Sequence, residues 1–126
     1  MNESTNTNQP AATAESVVDT ISYEDFAKLT IRIGTITVAE VVPEADKLLR
    51  LEVDFGDEQR QIVSGIREFV EDPADLVGTQ APFITNLATR TIRGLESQGM
   101  IMAVGDDEDF AFLRPDRSVP PGTSVR

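Results

Sequence analysis

The side chains that could do chemistry in this chain are arginines and carboxylates. Nine arginines, two lysines (Lys28 and Lys47) and 22 acids give a net charge of −11, and there is no cysteine or histidine. Thiol and imidazole mechanisms, Cys/His zinc sites, disulfides and a Ser-His-Asp triad are therefore excluded. The cations are unevenly placed. The stretch Asn86-Leu-Ala-Thr-Arg-Thr-Ile-Arg-Gly-Leu-Glu-Ser-Gln-Gly-Met100 holds Arg90 and Arg93 against Glu96, a net +1, whereas the rest of the chain is −12. A basic, glycine-punctuated stretch in an acidic chain reads either as a surface connection between strands or as a site for an anionic partner. Arg32, Lys47, Arg50 and Arg60 could converge with Arg90 and Arg93 into one patch, or all six could be scattered solubilising charges. The guanidinium fork suits phosphate oxygens, while the negative total argues against nonspecific attraction to nucleic acid.

The remaining constellations are weaker. Glu52 and Asp54 alternate outward with apolar residues and read as a solvated face, not as an acid–base pair. Asp106-Asp-Glu-Asp109 lacks the alternating spacing and central glycine of a calcium loop and reads as a hairpin tip. Ser64-Gly65 is not followed by Lys-Ser/Thr, so it is no phosphate loop. Met100 and Met102, at period two, suit a core, although one of them at a barrel mouth could pack against a nucleotide base. No catalytic residue, metal site or cofactor is expected.

The elements that must position these residues are those of one domain of 126 residues. No apolar run reaches the ~18 residues of a membrane span. Met1 to Thr20 has no basic region followed by an apolar one, so a cytoplasmic protein is expected. Residues 1–20, polar and alanine-rich, are expected to be a disordered tail, and residues 21–126 the folded domain. The many acids, few lysines and missing cysteine would also suit a salt-adapted organism. Ser22-Tyr-Glu-Asp25 starts a short helix ending near Leu29. Thr30 to Val42 reads as a long strand whose alternation changes phase after Gly34, suggesting a bulge or bend there. Arg32 and Arg50 should point outward. Leu49, Leu51, Val53 and Phe55 alternate with polar residues, and Gly56-Asp57 turns into a further strand at Gln59–Ser64. A short helix around Ile66–Val70 and a turn at Asp72-Pro73 precede a strand at Ala81–Leu87. The basic loop follows, then strands at Gly99–Gly105 and Phe110–Leu113, and a polar tail from Pro115. The fold class is all-β: a five-stranded Greek-key OB-fold barrel with short helical insertions, with a small β-sandwich as the alternative.

The chain also resembles a known family. Tyr23-Glu-Asp-Phe-Ala-Lys28, Ile31-Arg-Ile-Gly34, Ala45-Asp-Lys-Leu48, Arg60-Gln-Ile-Val-Ser-Gly-Ile66, Asn86-Leu87 and Arg93-Gly-Leu-Glu-Ser-Gln-Gly-Met100 look like the successive blocks of the EMAP-type tRNA-binding domain. Within it, the chain is most similar to the C-terminal domain or separate β subunit of methionyl-tRNA synthetase and to free-standing structure-specific tRNA-binding proteins. The resemblance implies an OB fold, a homodimer, and a non-catalytic grip on tRNA by shape and backbone, in some cases beside a synthetase catalytic subunit. By position it implies that Asn86, Arg93, Ser97 and Met100 lie at the tRNA face, with Arg32 and Lys47 as basic positions of the same face. Glu96 and Gln98 would hold the loop. Ala88-Thr89 and Thr91 stand where the family tends to carry more basic residues, leaving Arg90 basic. That implies weak affinity, offset by dimerisation or by attachment to a catalytic subunit. The alternative within the same superfamily is a secretion-chaperone-like dimer or a dimerisation module that binds protein.

Overall fold

A computed structural model describes residues 19–126. The tail expected over residues 1–20 falls outside the described residues except for Asp19 and Thr20, which are exposed and carry no regular structure. The helix α1 is a single turn, Tyr23–Phe26, shorter than expected. The Ser22 hydroxyl accepts from the Asp25 amide at 3.1 Å, and Glu24 and Asp25 sit at the positive end of the helix.

The strands follow as β1 (Ile31–Val41), β2 (Leu49–Asp54), β3 (Gln59–Ser64), β4 (Gln80–Ile84), β5 (Arg90–Ile92), β6 (Leu95–Ser97), β7 (Met100–Ile101), β8 (Ala103–Val104) and β9 (Ala111–Phe112). Short 3₁₀ turns lie at Arg67–Phe69, Pro73–Leu76 and Asp107–Asp109. Five strands form one antiparallel sheet in the order β3-β2-β1-β4-β7. The sheet curls until its two ends meet. The Gln98 amide donates to Gln61 O at 2.9 Å, the Gln61 amide donates to Gln98 Oε1 at 3.0 Å, and the Val63 amide donates to Ser97 Oγ at 3.0 Å. Side chains thus complete the closing seam where ladder bonds run out. The result is a nearly closed five-stranded barrel of OB type; a sandwich would need two separate packed sheets.

The barrel is filled from the alternating strand that the sequence marks most clearly. Leu49, Leu51 and Val53 are fully buried, Phe55 nearly so, and Phe55 meets Phe83 edge-to-face at 5.5 Å. At Gly34 a Cβ would lie 2.4 Å from Val53 Cγ1 and 2.7 Å from the Phe55 ring, so only glycine lets β1 approach β2 here. The bulge expected at this glycine lies three residues later. Ile36 pairs with Val53 and Val38 with Glu52, leaving Thr37 as the extra residue. The change of phase seen at Gly34 has another cause. Ile31 and Ile33 lie on one face of β1 and Gly34 and Ile36 on the other, and all four are buried.

Three further expectations are corrected. The strand expected over 99–105 divides at Met102 into β7, which pairs with β4, and β8, which pairs with β9. The strand expected over 81–87 ends at Ile84. Part of the polar tail is laid along β1: the Gly122 amide donates to Ile33 O, the Ile33 amide to Thr123 O, and the Val125 amide to Ile31 O, at 2.7–2.9 Å. It takes the edge that β2 leaves, since β2 pairs with β1 only from Thr35 onward. Among the described residues no helix is long and apolar enough to cross a membrane.

Candidate nucleic-acid interface

The basic stretch is not an open loop. It folds into the β5–β6 hairpin, with Arg90 opposite Ser97, Thr91 opposite Glu96 and Ile92 opposite Leu95. Its two-residue turn is Arg93-Gly94, with φ of 52° and 79°. Two successive positive φ values match the twist of the flanking strands. The turn therefore projects Arg93 from the hairpin tip. The available signal was a two-residue X-Gly turn between short alternating segments; arginine at X, where asparagine is usual, obscured it.

The six candidate cations divide into two sets. Arg32, expected to point outward, has a side chain only 15% exposed. Its guanidinium lies 4.8 Å from the Phe55 ring centroid and pairs with Glu58 at 2.6 Å and Asp57 at 3.4 Å, while Nε donates to Thr85 Oγ1. The carboxylates of the β2–β3 turn, together with the ring beneath, draw it inward. Arg50 lies between Glu40 and Glu52 and donates to Gln61 Oε1 at 2.7 Å. Its hydrogen bond to Glu52 raises its pKa above the ordinary arginine value, against an opposing effect of burial. Arg60 pairs with Glu58 and donates to the carbonyls of Thr85 and Gln98. Glu58, between Arg60 and Arg32, has its pKa lowered, chiefly by the Arg60 hydrogen bonds and next by that of Arg32.

Lys47, Arg90 and Arg93 form no ion pair among the described residues, and all three are exposed. Lys47 and Arg93 line one open cleft of about 490 Å³ with Glu44, Asp46 and Ile92. Arg90, Ser97 and Met100 line a smaller groove of about 70 Å³ with Leu87, Ala88 and Ile92. Ile92 is common to both, so the two depressions lie side by side along the hairpin. Met100 is 48% exposed and Leu87 44%, which gives the groove an apolar lip beside its cation. Met102, its period-two neighbour, is half-buried.

Ser97 and Asn86 are placed differently. Ser97 is buried, and its hydroxyl serves the seam to Val63 described above. Asn86 Oδ1 accepts from the Thr30 amide at 2.8 Å and Nδ2 donates to Lys28 O at 2.6 Å, tying the start of the stretch to the end of the α1 segment. Gln98 and the Glu96 carbonyl hold the hairpin to β3, with Gln61 Nε2 donating to Glu96 O at 2.8 Å. The structure thus brings Lys47, Arg90, Arg93 and Met100 to the surface together, and sets Arg32, Asn86 and Ser97 at the roots of that surface.

A small antiparallel barrel with an exposed cationic hairpin, and with Arg32, Arg50 and Arg60 of its strands ion-paired, is a binding domain of OB type. Residues 31–124 match the family model described as "Putative tRNA binding domain", and the chain belongs to that family. It is 49% identical over 106 residues to a methionine–tRNA ligase of Methanosphaerula palustris, covering 84% of this chain and 16% of that enzyme. Its fold is similar to that of a MetRS-related protein from Pyrococcus horikoshii, with a TM-score of 0.79 and 32% identity over 86% of this chain and 100% of that one. It is also similar to the chaperone CsaA of Bacillus anthracis, with a TM-score of 0.77 and 31% identity over the same shares. The chain therefore spans about a sixth of the length of the ligase it matches.

Proposed function

We propose that this chain is a non-catalytic tRNA-binding module that works in the cytoplasm on behalf of methionyl-tRNA synthetase, as its C-terminal domain, its β subunit or a free-standing protein. The observation that carries this is that Lys47, Arg90 and Arg93 lie exposed and, among the described residues, unpaired around one hairpin while Arg32, Arg50 and Arg60 on the barrel strands are ion-paired, in a domain of the tRNA-binding family. These three cations contact backbone phosphates, and Met100 with Leu87 receives an unstacked base. Arg32, Asn86 and Ser97 act from behind, by keeping the hairpin in place. Residues 21–126 are the functional unit. No base edge is read, so tRNA is gripped by shape and backbone. Three contacts give modest affinity, which a homodimer raises by doubling the patch, and the module raises the affinity of a synthetase for its tRNA in the same way.

Fluorescence anisotropy with tRNA tests this between about 0.1 and 0.4 M salt. Three phosphate contacts predict a slope of log K against log salt of about −2 to −3, and Arg93→Ala should lower its magnitude by about one. Binding indifferent to both salt and Arg93→Ala would sink the proposal. Light scattering with and without tRNA reports the homodimer.

The 31% identity to a chaperone supports a second reading, in which the domain holds unfolded protein. Suppression of client aggregation with no tRNA binding would favour it, and failure to suppress aggregation would count it out.

A further inference from the structure

Arg60 lies on β3, outside the hairpin, yet one of its nitrogens reaches both ends of the segment that carries it. Nη1 donates to the carbonyls of Thr85 and Gln98, the residues that flank 86–97, with the Gln98 contact at 2.9 Å. Its other two nitrogens are engaged by the Glu58 carboxylate, Nε at 3.0 Å and Nη2 at 3.2 Å. Glu58 is held in turn by Arg32 at 2.6 Å, and Arg32 Nε donates to the hydroxyl of Thr85, whose carbonyl Arg60 grips. Thr85 is buried, so its carbonyl at this point has little access to water. The guanidinium is planar, with donors fixed in direction, so a carboxylate on one edge sets the angle of the other.

We propose that Arg60, oriented by Glu58 and Arg32, is a positioning residue that closes the base of the 86–97 segment and so sets where Arg90 and Arg93 present their charges. It meets no phosphate itself. Its positive charge faces Glu58 on one side and two carbonyls on the other, so that four of its five N–H donors are engaged and a single Nη2 N–H has no partner among the described residues. This deepens the tRNA reading and rests on it for its effect on binding, but not for its effect on the hairpin.

Two measurements on Arg60→Gln separate the possibilities. Amide hydrogen exchange should quicken in Arg90–Ser97 by about threefold to tenfold, the size of losing one or two hydrogen bonds, while β1 and β2 stay unchanged. Affinity for tRNA should fall severalfold with the salt slope unchanged, because no phosphate contact is lost. Arg60→Lys, which can reach one carbonyl but not orient two, should lie between the variant and the wild type in both. Unchanged exchange in the hairpin overturns the positioning role, whatever happens to tRNA. A slope reduced by about one shows that Arg60 touches phosphate and overturns it too. If the wild type binds no tRNA, the functional reading fails while the exchange result still decides the clamp. Should Arg60→Gln fail to fold, Glu58→Gln removes the orienting carboxylate and leaves both carbonyl contacts possible. Faster exchange confined to the hairpin then supports the proposal, and unchanged exchange overturns it.

Discussion

Arg93 occupies a backbone conformation that suits asparagine better. At φ 52° a side chain with a Cβ is disfavoured by about 1–2 kcal/mol, and asparagine is relieved of part of this by local hydrogen bonding. Arg93→Asn should therefore stabilise the domain by up to roughly 1 kcal/mol in urea unfolding. The same change removes the cation at the hairpin tip and should weaken tRNA binding, so stability and affinity move in opposite directions. Glu58 gives a second residue-level outcome. Its folded pKa lies below its ordinary value of 4.5, so the unfolded chain takes up the proton first as pH falls. The stabilisation from its arginine contacts is complete above 4.5 and is lost as pH drops through the lower folded value. Denaturation at several pH values should show that Glu58→Gln costs less stability as the solution is acidified from 6 toward 3, roughly the range in which carboxylates titrate.

The seam between β3 and β6 depends on a side chain standing in for backbone. Ser97→Ala leaves the Val63 amide without its acceptor inside the barrel, at a cost of about 1–3 kcal/mol. Thermal unfolding measures it; a loss under 0.5 kcal/mol, about the least a hydrogen bond contributes, would mean the seam closes without the hydroxyl. This element was hidden from sequence reading for the reason that makes it distinctive. The β2 alternation of Leu49, Leu51, Val53 and Phe55 announces its buried face, and the β2–β3 hairpin is legible from Gly56-Asp57. Ser97 and Gln98 look like polar loop residues because their partners lie more than 30 positions away in β3. The β5–β6 hairpin was likewise masked, being three residues a side with arginine in its turn. The candidate cations were visible as a set, but sequence does not show which are already paired. That division follows from where Glu40 falls on β1, Glu52 on β2 and Asp57 and Glu58 in the β2–β3 turn.

At the scale of the molecule, the total of −11 hides an asymmetry. The barrel-wall arginines are neutralised by adjacent acids, so the wall offers a polyanion no net attraction, while the hairpin keeps its cations free. This separation of free from paired charge has a consequence for the speed of encounter. At about 0.01 M salt the screening length is roughly 30 Å, long enough for an approaching RNA to feel the whole negative protein. At about 0.1 M it shortens to about 10 Å, and only the nearest charges, those of the hairpin, are felt. Stopped-flow association should therefore accelerate as salt rises through the first interval and slow beyond it as the hairpin itself is screened. A rate that only falls from the lowest salt upward would mean that the acidic bulk does not reach the approaching RNA. A rate that first rises makes the acidity an electrostatic filter, with moderate ionic strength the condition under which this domain finds its partner fastest.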